Sequence, residues 1–210
     1  GFGVVSPVGV ERETFWHSLA RGVSGIGPIG RFDPATLAVR LAAEVRGDLA
    51  LPEDLAEVAT ADPKVGFACL ACLQAVMQAG LTAFGDRMLL HLGTSLETFD
   101  LNRIVHDGRV DFTVIAGRIL SGQAGPLQVP LDTAARLIVG QLGRPGLALT
   151  NCSACAAGAQ AIGHGFHAVR SGRFEVAVCG GFDSMITPVG LGSFCLLSAV
   201  SPDNHAPERA

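Results

Sequence analysis

Apolar residues in this chain come in two rhythms, short unbroken runs and longer stretches with helical spacing, and glycine or proline closes nearly every one. Met88 to Gly93 (MLLHLG), Leu147 to Thr150 and Phe174 to Cys179 are short runs of the kind that buried strands use. Phe2 to Ser6, apolar and partly β-branched up to Pro7, reads as another strand, and Val39 to Val45 as an exposed one. Gly25 to Pro34 between them reads as loop. Glu11 to Leu19 carries Phe15, Trp16 and Leu19 at helical spacing and stops at Gly22. Leu51 to Ala61 suits a surface helix or loop. Asp62 and Pro63 then supply an N-cap and a first helical residue for Lys64 to Ala79. That helix has almost no polar face, which predicts burial between layers. Asp132 caps a helix with Ala134, Leu137, Ile138 and Leu142 inward, ending at Gly143.

Strands alternating with helices predict an α/β fold with a mainly parallel sheet and helices on both faces. Leu147 to Gly172 is the stretch on which this pattern converges. A strand runs through the small residues Asn151 to Ala154 directly into a nearly uncharged helix that stops at Gly172, and Cys155 sits at the junction. The first turn of a helix has unpaired N–H groups and about half a positive charge, a setting that favours a thiolate over a thiol. Small neighbours leave room for a carbonyl, and the N–H of Cys155 is a candidate donor to an oxyanion. The residues alone leave open a buried, inert cysteine.

Composition narrows the classes. Six cysteines include two CxxC spacings, Cys69 to Cys72 and Cys152 to Cys155. The first lies inside an apolar helical pattern and neither has the turn of a zinc knuckle, so reduced cytoplasmic thiols are expected, with no metal. A net charge of −4 without a Lys/Arg cluster argues against nucleic acid. No apolar run reaches the roughly 18 residues that span a bilayer, so the chain reads as soluble. There is no GxxxxGK[ST], and Ser6 stands where Gly1-Phe2-Gly3 would need a third glycine, so no nucleotide cofactor is expected.

Three blocks, SACAAGAQAIG, GRFEVAVCGGFDSMITPVGLGSF and LLSAVSPDNHAPERA, together with the opening GFGVVSPVGVERETFWHSLARGVSGIGPIGRFDP, resemble the β-ketoacyl-(acyl carrier protein) synthases, condensing enzymes of the thiolase-like superfamily. The resemblance is looser between Val39 and Gln128. It implies a layered αβαβα fold of which this chain is the amino-terminal half only. Residues 1–210 would form an incomplete amino-terminal synthase domain, cut from a longer chain in which about as much sequence again follows. Gly1 opening inside an apolar segment without Met, and the abrupt end at Ala210, carry the same expectation.

By resemblance Cys155 takes an acyl group from a carrier-protein thioester, and a malonyl thioester then decarboxylates and condenses with it. Phe194, in GLGSF, matches an aromatic bordering the acyl pocket. Gln128 falls near the point where the family's dimer partner reaches the pocket. Asn151 and Cys152 stand where the family has smaller or β-branched residues. The family's two catalytic histidines and its lysine fall after Ala210. His164 and His167 lie nine and twelve positions beyond Cys155 in its own helix, about 13–18 Å along the axis, too far to reach its sulfur. Packing or hydrogen-bonded roles are expected for them, and His17, His91, His106 and His205 match no catalytic motif. The partners implied are an acyl carrier protein bearing acyl and malonyl thioesters and a second synthase-like subunit, identical or related. A non-catalytic scaffold of a condensing dimer is the alternative, and a thiolase is a third reading disfavoured by the TPVGLGSF and SPDN blocks.

Overall fold

A computed structural model describes residues 1–47, 49, 51–96, 98–99, 105–106, 109–110, 112–122 and 128–207. The chain divides into two compact units, residues 1–51, 67–82 and 183–210 in one and residues 52–66 and 83–182 in the other.

The second unit is built on three parallel strands, β3 (Met88–Gly93), β8 (Leu147–Asn151) and β9 (Val176–Gly181), in the order β8-β3-β9. Every residue of β3 is buried, as its unbroken apolar run predicts for a central strand covered on both faces. The connection from β3 to β8 carries α5 (Thr133–Leu142), and that from β8 back across β3 to β9 is α6 (Ala157–Arg170). Right-handed crossovers in opposite directions place these helices on opposite faces of the sheet. Thr133, Ala134, Ala135, Ile138 and Leu142 are the buried residues of α5, and Leu137 is half-buried. Asp132 stands at the N-cap without making a capping bond; its carboxylate pairs instead with Arg136, 3.2 Å away. Gly143 ends α5 with φ +86°, a value that favours glycine.

The register places Leu89, His91 and Gly93 beside Leu147, Leu149 and Asn151 on one side and Ala177, Cys179 and Gly181 on the other. All nine share the sheet face under α6. Ala157, Ala161, Gly165 and Ala168 are the buried side of that helix. Leu89, Ala168 and Phe174 form a core at its far end, with Leu147, Leu149 and Ala177 against it. Near its start the packing is backbone on backbone: a Cβ on Gly93 would lie 2.3 Å from the carbonyl carbon of Ala157, and one on Gly181 would lie 2.9 Å from the Cα of Gly158. On the other side of this helix Ile162, Phe166 and Val169 are exposed.

The remaining described part of this unit consists of α2 (Glu53–Ala61), two short antiparallel ribbons and α4 (Phe112–Leu120). The ribbons pair β4 (Thr98–Phe99) with β7 (Gln128–Val129) and β5 (Val105–His106) with β6 (Arg109–Val110). Residues 97, 100–104, 107–108, 111 and 123–127 lie outside the described part.

In the first unit α1 (Arg12–Ala20) follows the opening segment, and Gly22, with φ +65°, closes it. Trp16 and Leu19 are 65% and 48% exposed, so its apolar stripe is not core here. Phe2 to Ser6 is not a strand. The Phe2 and Val4 amides donate to the side-chain oxygens of Gln78 and Gln74 on α3 (Pro63–Gln78), at 2.5 and 2.9 Å, and only Ser6 and Gly9 bridge. Helix glutamines thus satisfy the donors that a neighbouring strand would have taken. β1 (Ile26–Pro28), within the stretch read as loop, pairs antiparallel with β2 (Leu41–Ala43). α3 starts in the second unit and continues in the first, with Val65, Ala68, Cys69, Cys72 and Val76 buried and Met77 exposed. α7 (Pro188–Leu196) is capped by the Thr187 hydroxyl, which accepts from the Gly190 N–H at 3.0 Å.

Candidate active site

Cys155 lies where the parallel sheet ends and α6 begins. The junction is a 3-10 turn, Ala154–Ala156, placed ahead of the α-helix rather than being its first turn. Ala154 holds φ +50°, a left-handed conformation that costs a non-glycine residue about 1–2 kcal/mol. The Ala156 N–H closes the turn on the Ser153 carbonyl at 3.2 Å. Cys155 is exposed rather than buried. Its place, outside the carboxyl ends of parallel strands, is where open α/β sheets hold ligands. A thiol presented there on small neighbours can attack a carbonyl carbon without displacing a bulky side chain.

The other thiols differ. Cys69 and Cys72 are buried on α3, and desolvation, with Cys69 nearby, pushes the Cys72 thiol up to about 12. Cys179 is half-buried beside His91 in the sheet, and burial raises its thiol above the usual range. Cys152 is exposed and free. Among the described residues no group of three or more His, Cys, Asp or Glu side chains gathers as a metal site.

The turn is fastened from below. Asn151, the last residue of β8, accepts at Oδ1 from the Ser153 N–H (3.4 Å) and donates from Nδ2 to the Ala157 carbonyl (3.2 Å). Its Nδ2 also lies 3.1 Å from His91 Nε2, and His91 Nδ1 lies 2.9 Å from Nδ1 of His164 on α6. The two rings meet edge to face with centroids 4.9 Å apart. Burial, and then the neighbouring His164, hold His91 below the ordinary histidine value of 6.5. The Thr94 N–H donates to the Asn151 carbonyl at 2.9 Å and the Phe182 N–H to that of Gly93 at 2.9 Å, tying the ends of all three strands together. Ser153 Oγ donates to Gln160 Oε1 at 2.6 Å.

His164 is hydrogen-bonded and His167 packs on Phe166, in line with the roles expected of them. His91 was passed over in the sequence. A polar residue in the middle of MLLHLG is itself a signal, because a buried imidazole needs partners. Phe194 is half-buried on α7, in the other compact unit from Cys155. Gln128 is in the same unit as Cys155, its backbone paired with Phe99.

Among the described residues no helix is long and apolar enough to cross a membrane. The family model of the β-ketoacyl synthase N-terminal domain matches residues 1–210. A protein of Streptomyces halstedii named as a polyketide β-ketoacyl synthase is 33% identical over 222 residues, covering all of this chain and 51% of the relative. A 3-oxoacyl-[acyl-carrier-protein] synthase 2 of Coxiella burnetii is 29% identical over 221 residues, with the same coverage. The solved ishigamide ketosynthase/chain length factor superposes with a TM-score of 0.75 at 26% identity, covering 97% of this chain and 51% of that one. The fold is therefore that of the thiolase-like ketosynthases, and the chain spans about half the length of the relatives it matches. With its whole length matched to the family's N-terminal domain, the chain belongs to the β-ketoacyl synthases.

Proposed function

We propose that this chain is the amino-terminal half of a condensing enzyme in which Cys155 is the acyl acceptor. The observation that carries this reading is the exposed Cys155 thiol on a strained turn at the sheet's carboxyl edge, in a chain matched end to end by the family. The Cys155 thiolate attacks an acyl thioester; a new C–S bond forms, the old one breaks, and the carrier leaves as a thiolate that takes a proton from solvent. A malonyl thioester then loses CO2. The resulting enolate carbon attacks the acyl-enzyme carbonyl, a C–C bond forms, and the Cys155 C–S bond breaks to restore the thiolate. Polar groups that stabilise the enolate come from the half that follows, which also covers Ile162, Phe166 and Val169. Phe194 borders the acyl chain and Gln128 lies toward the partner subunit.

The donor is an acyl carrier protein, as the name of the Coxiella burnetii relative suggests, and the assembly is a dimer with an identical or related subunit, a reading that the paired name of the ishigamide ketosynthase/chain length factor supports. The test is to incubate the full-length protein with an acyl thioester, digest it, and find by mass spectrometry an acyl adduct on the Cys155 peptide. Cys155→Ala should abolish the adduct and leave the fold intact. A wild-type protein that stays unmodified across several acyl lengths, or a Cys155→Ala variant that still condenses, would sink the assignment.

A further inference from the structure

Asn151 lies four residues before the thiol and bonds both ends of the turn that carries it, at the Ser153 N–H and the Ala157 carbonyl. Those two bonds fix its orientation, because a flipped amide would set oxygen against oxygen at Ala157. Its Nδ2 has two hydrogens: one goes to Ala157, and the other points to His91 Nε2, which must therefore accept. His91 then carries its proton on Nδ1 and donates it to His164 Nδ1, which also accepts. Every member has a partner in one direction only. Protonation of His91 at Nε2, or of His164 at Nδ1, would set N–H against N–H. The titratable groups facing His91 are His164 from α6 and Cys179 from β9, neither of which supplies a compensating negative charge while neutral.

We propose that Asn151, His91 and His164 are positioning residues that act on Cys155 through its turn, and that they hold it only while both imidazoles are neutral. This rests on the reading of Cys155 as the nucleophile. The strain at Ala154 makes the need concrete: a left-handed alanine persists only where its surroundings over-determine it, and Asn151 is bonded on either side of it. Burial, and then the neighbouring His164, lower the titration of His91 and so favour the neutral ring that this relay requires of it.

The test uses full-length protein and measures, across pH, two rates at Cys155, single-turnover acylation by an acyl thioester and alkylation by iodoacetamide, with thermal melting alongside. Asn151→Leu and His164→Leu should slow acylation by about tenfold to a hundredfold, the scale of a small misplacement of a reacting group. His164→Asn, which keeps an acceptor near the Nδ1 position, should recover part of the rate; a purely structural role would show only in melting. The ratio of wild-type acylation to alkylation rate, in which the thiolate fraction of Cys155 cancels, should fall as pH drops below the histidine range, and His91→Leu should flatten that acid limb. Leu variants reacting at wild-type rates, an Asn variant no better than Leu, or an unchanged acid limb would each overturn the proposal. A wild type that alkylates but never acylates would instead overturn the nucleophile reading, and the alkylation ratios between variants would still decide the positioning.

Discussion

Replacing Gly93 by alanine puts a methyl group where the first turn of α6 already is. The added Cβ would sit 2.3 Å from the Ala157 carbonyl carbon, 2.4 Å from its oxygen and 2.7 Å from the Gly158 nitrogen, where ordinary contact begins at 3.4 Å. All three atoms are backbone, so no rotamer gives way, and the start of the helix must move by about 1 Å. Overpacking of this kind costs about 1–3 kcal/mol. For a chain of this size that lowers Tm by about 2–12 °C. Because the turn moved is the one that carries Cys155, a displacement of about 1 Å should also slow acyl transfer by about a hundredfold. Gly180→Ala, in the neighbouring strand with open space at its Cβ position, is the control and should leave both nearly unchanged. The assays are thermal melting by circular dichroism and the rate of Cys155 acylation. A Gly93→Ala protein that melts and reacts like wild type, or a Gly180→Ala protein that loses as much, would refute the close-packing argument.

Lys64 and Asp62 pair at 3.3 Å with side chains 4% and 1% exposed, and Lys64 also donates to the Leu96 carbonyl. Lys64→Ala should cost about 3–5 kcal/mol in urea denaturation by stranding a buried carboxylate, and Asp62→Leu with Lys64→Met should recover most of it. A single variant with less than about 1 kcal/mol lost would contradict the buried pair. Iodoacetamide at pH 8 should label Cys155 and Cys152 and spare Cys72, whose thiolate fraction with a pKa near 12 is about one in ten thousand; peptide mapping reads this directly. Because His91 titrates below 6.5 when folded, the unfolded chain takes up its proton first. The stabilising contribution is thus whole above pH 6.5 and is lost as pH falls toward the folded value. His91→Leu should remove that part of the decline in urea midpoints measured across the interval.

Periodicity made β3, β8, β9, α5 and α6 legible because each is a local pattern with glycine at one end or just beyond it, and the Cys155 junction followed from their order. Partnership was not legible. Phe2 to Ser6 has a strand's composition, yet Gln74 and Gln78, some seventy residues on, take its donors. Gly27 and Pro28 hid β1, which exists only because Leu41 to Ala43 lies beside it. His91 meets Asn151 and His164 across separations of 60 and 73 residues, so its chemistry had no sequence neighbourhood to betray it. Nor does composition reveal the φ of Ala154, since alanine enters the left-handed region only under constraint from outside.

The glycine seam under α6 makes the helix a lever with its fulcrum at the thiol end. Gly93, Gly158 and Gly181 leave nothing compressible between helix and sheet there, whereas Ala168, ten residues or about 15 Å beyond Gly158, rests on the deformable side chains of Leu89 and Phe174. A change of volume at Phe174 therefore swings the distal end of the helix and hardly lifts Cys155. Substitutions can accumulate at that far end without passing into the chemistry, while a single added methyl at the fulcrum cannot.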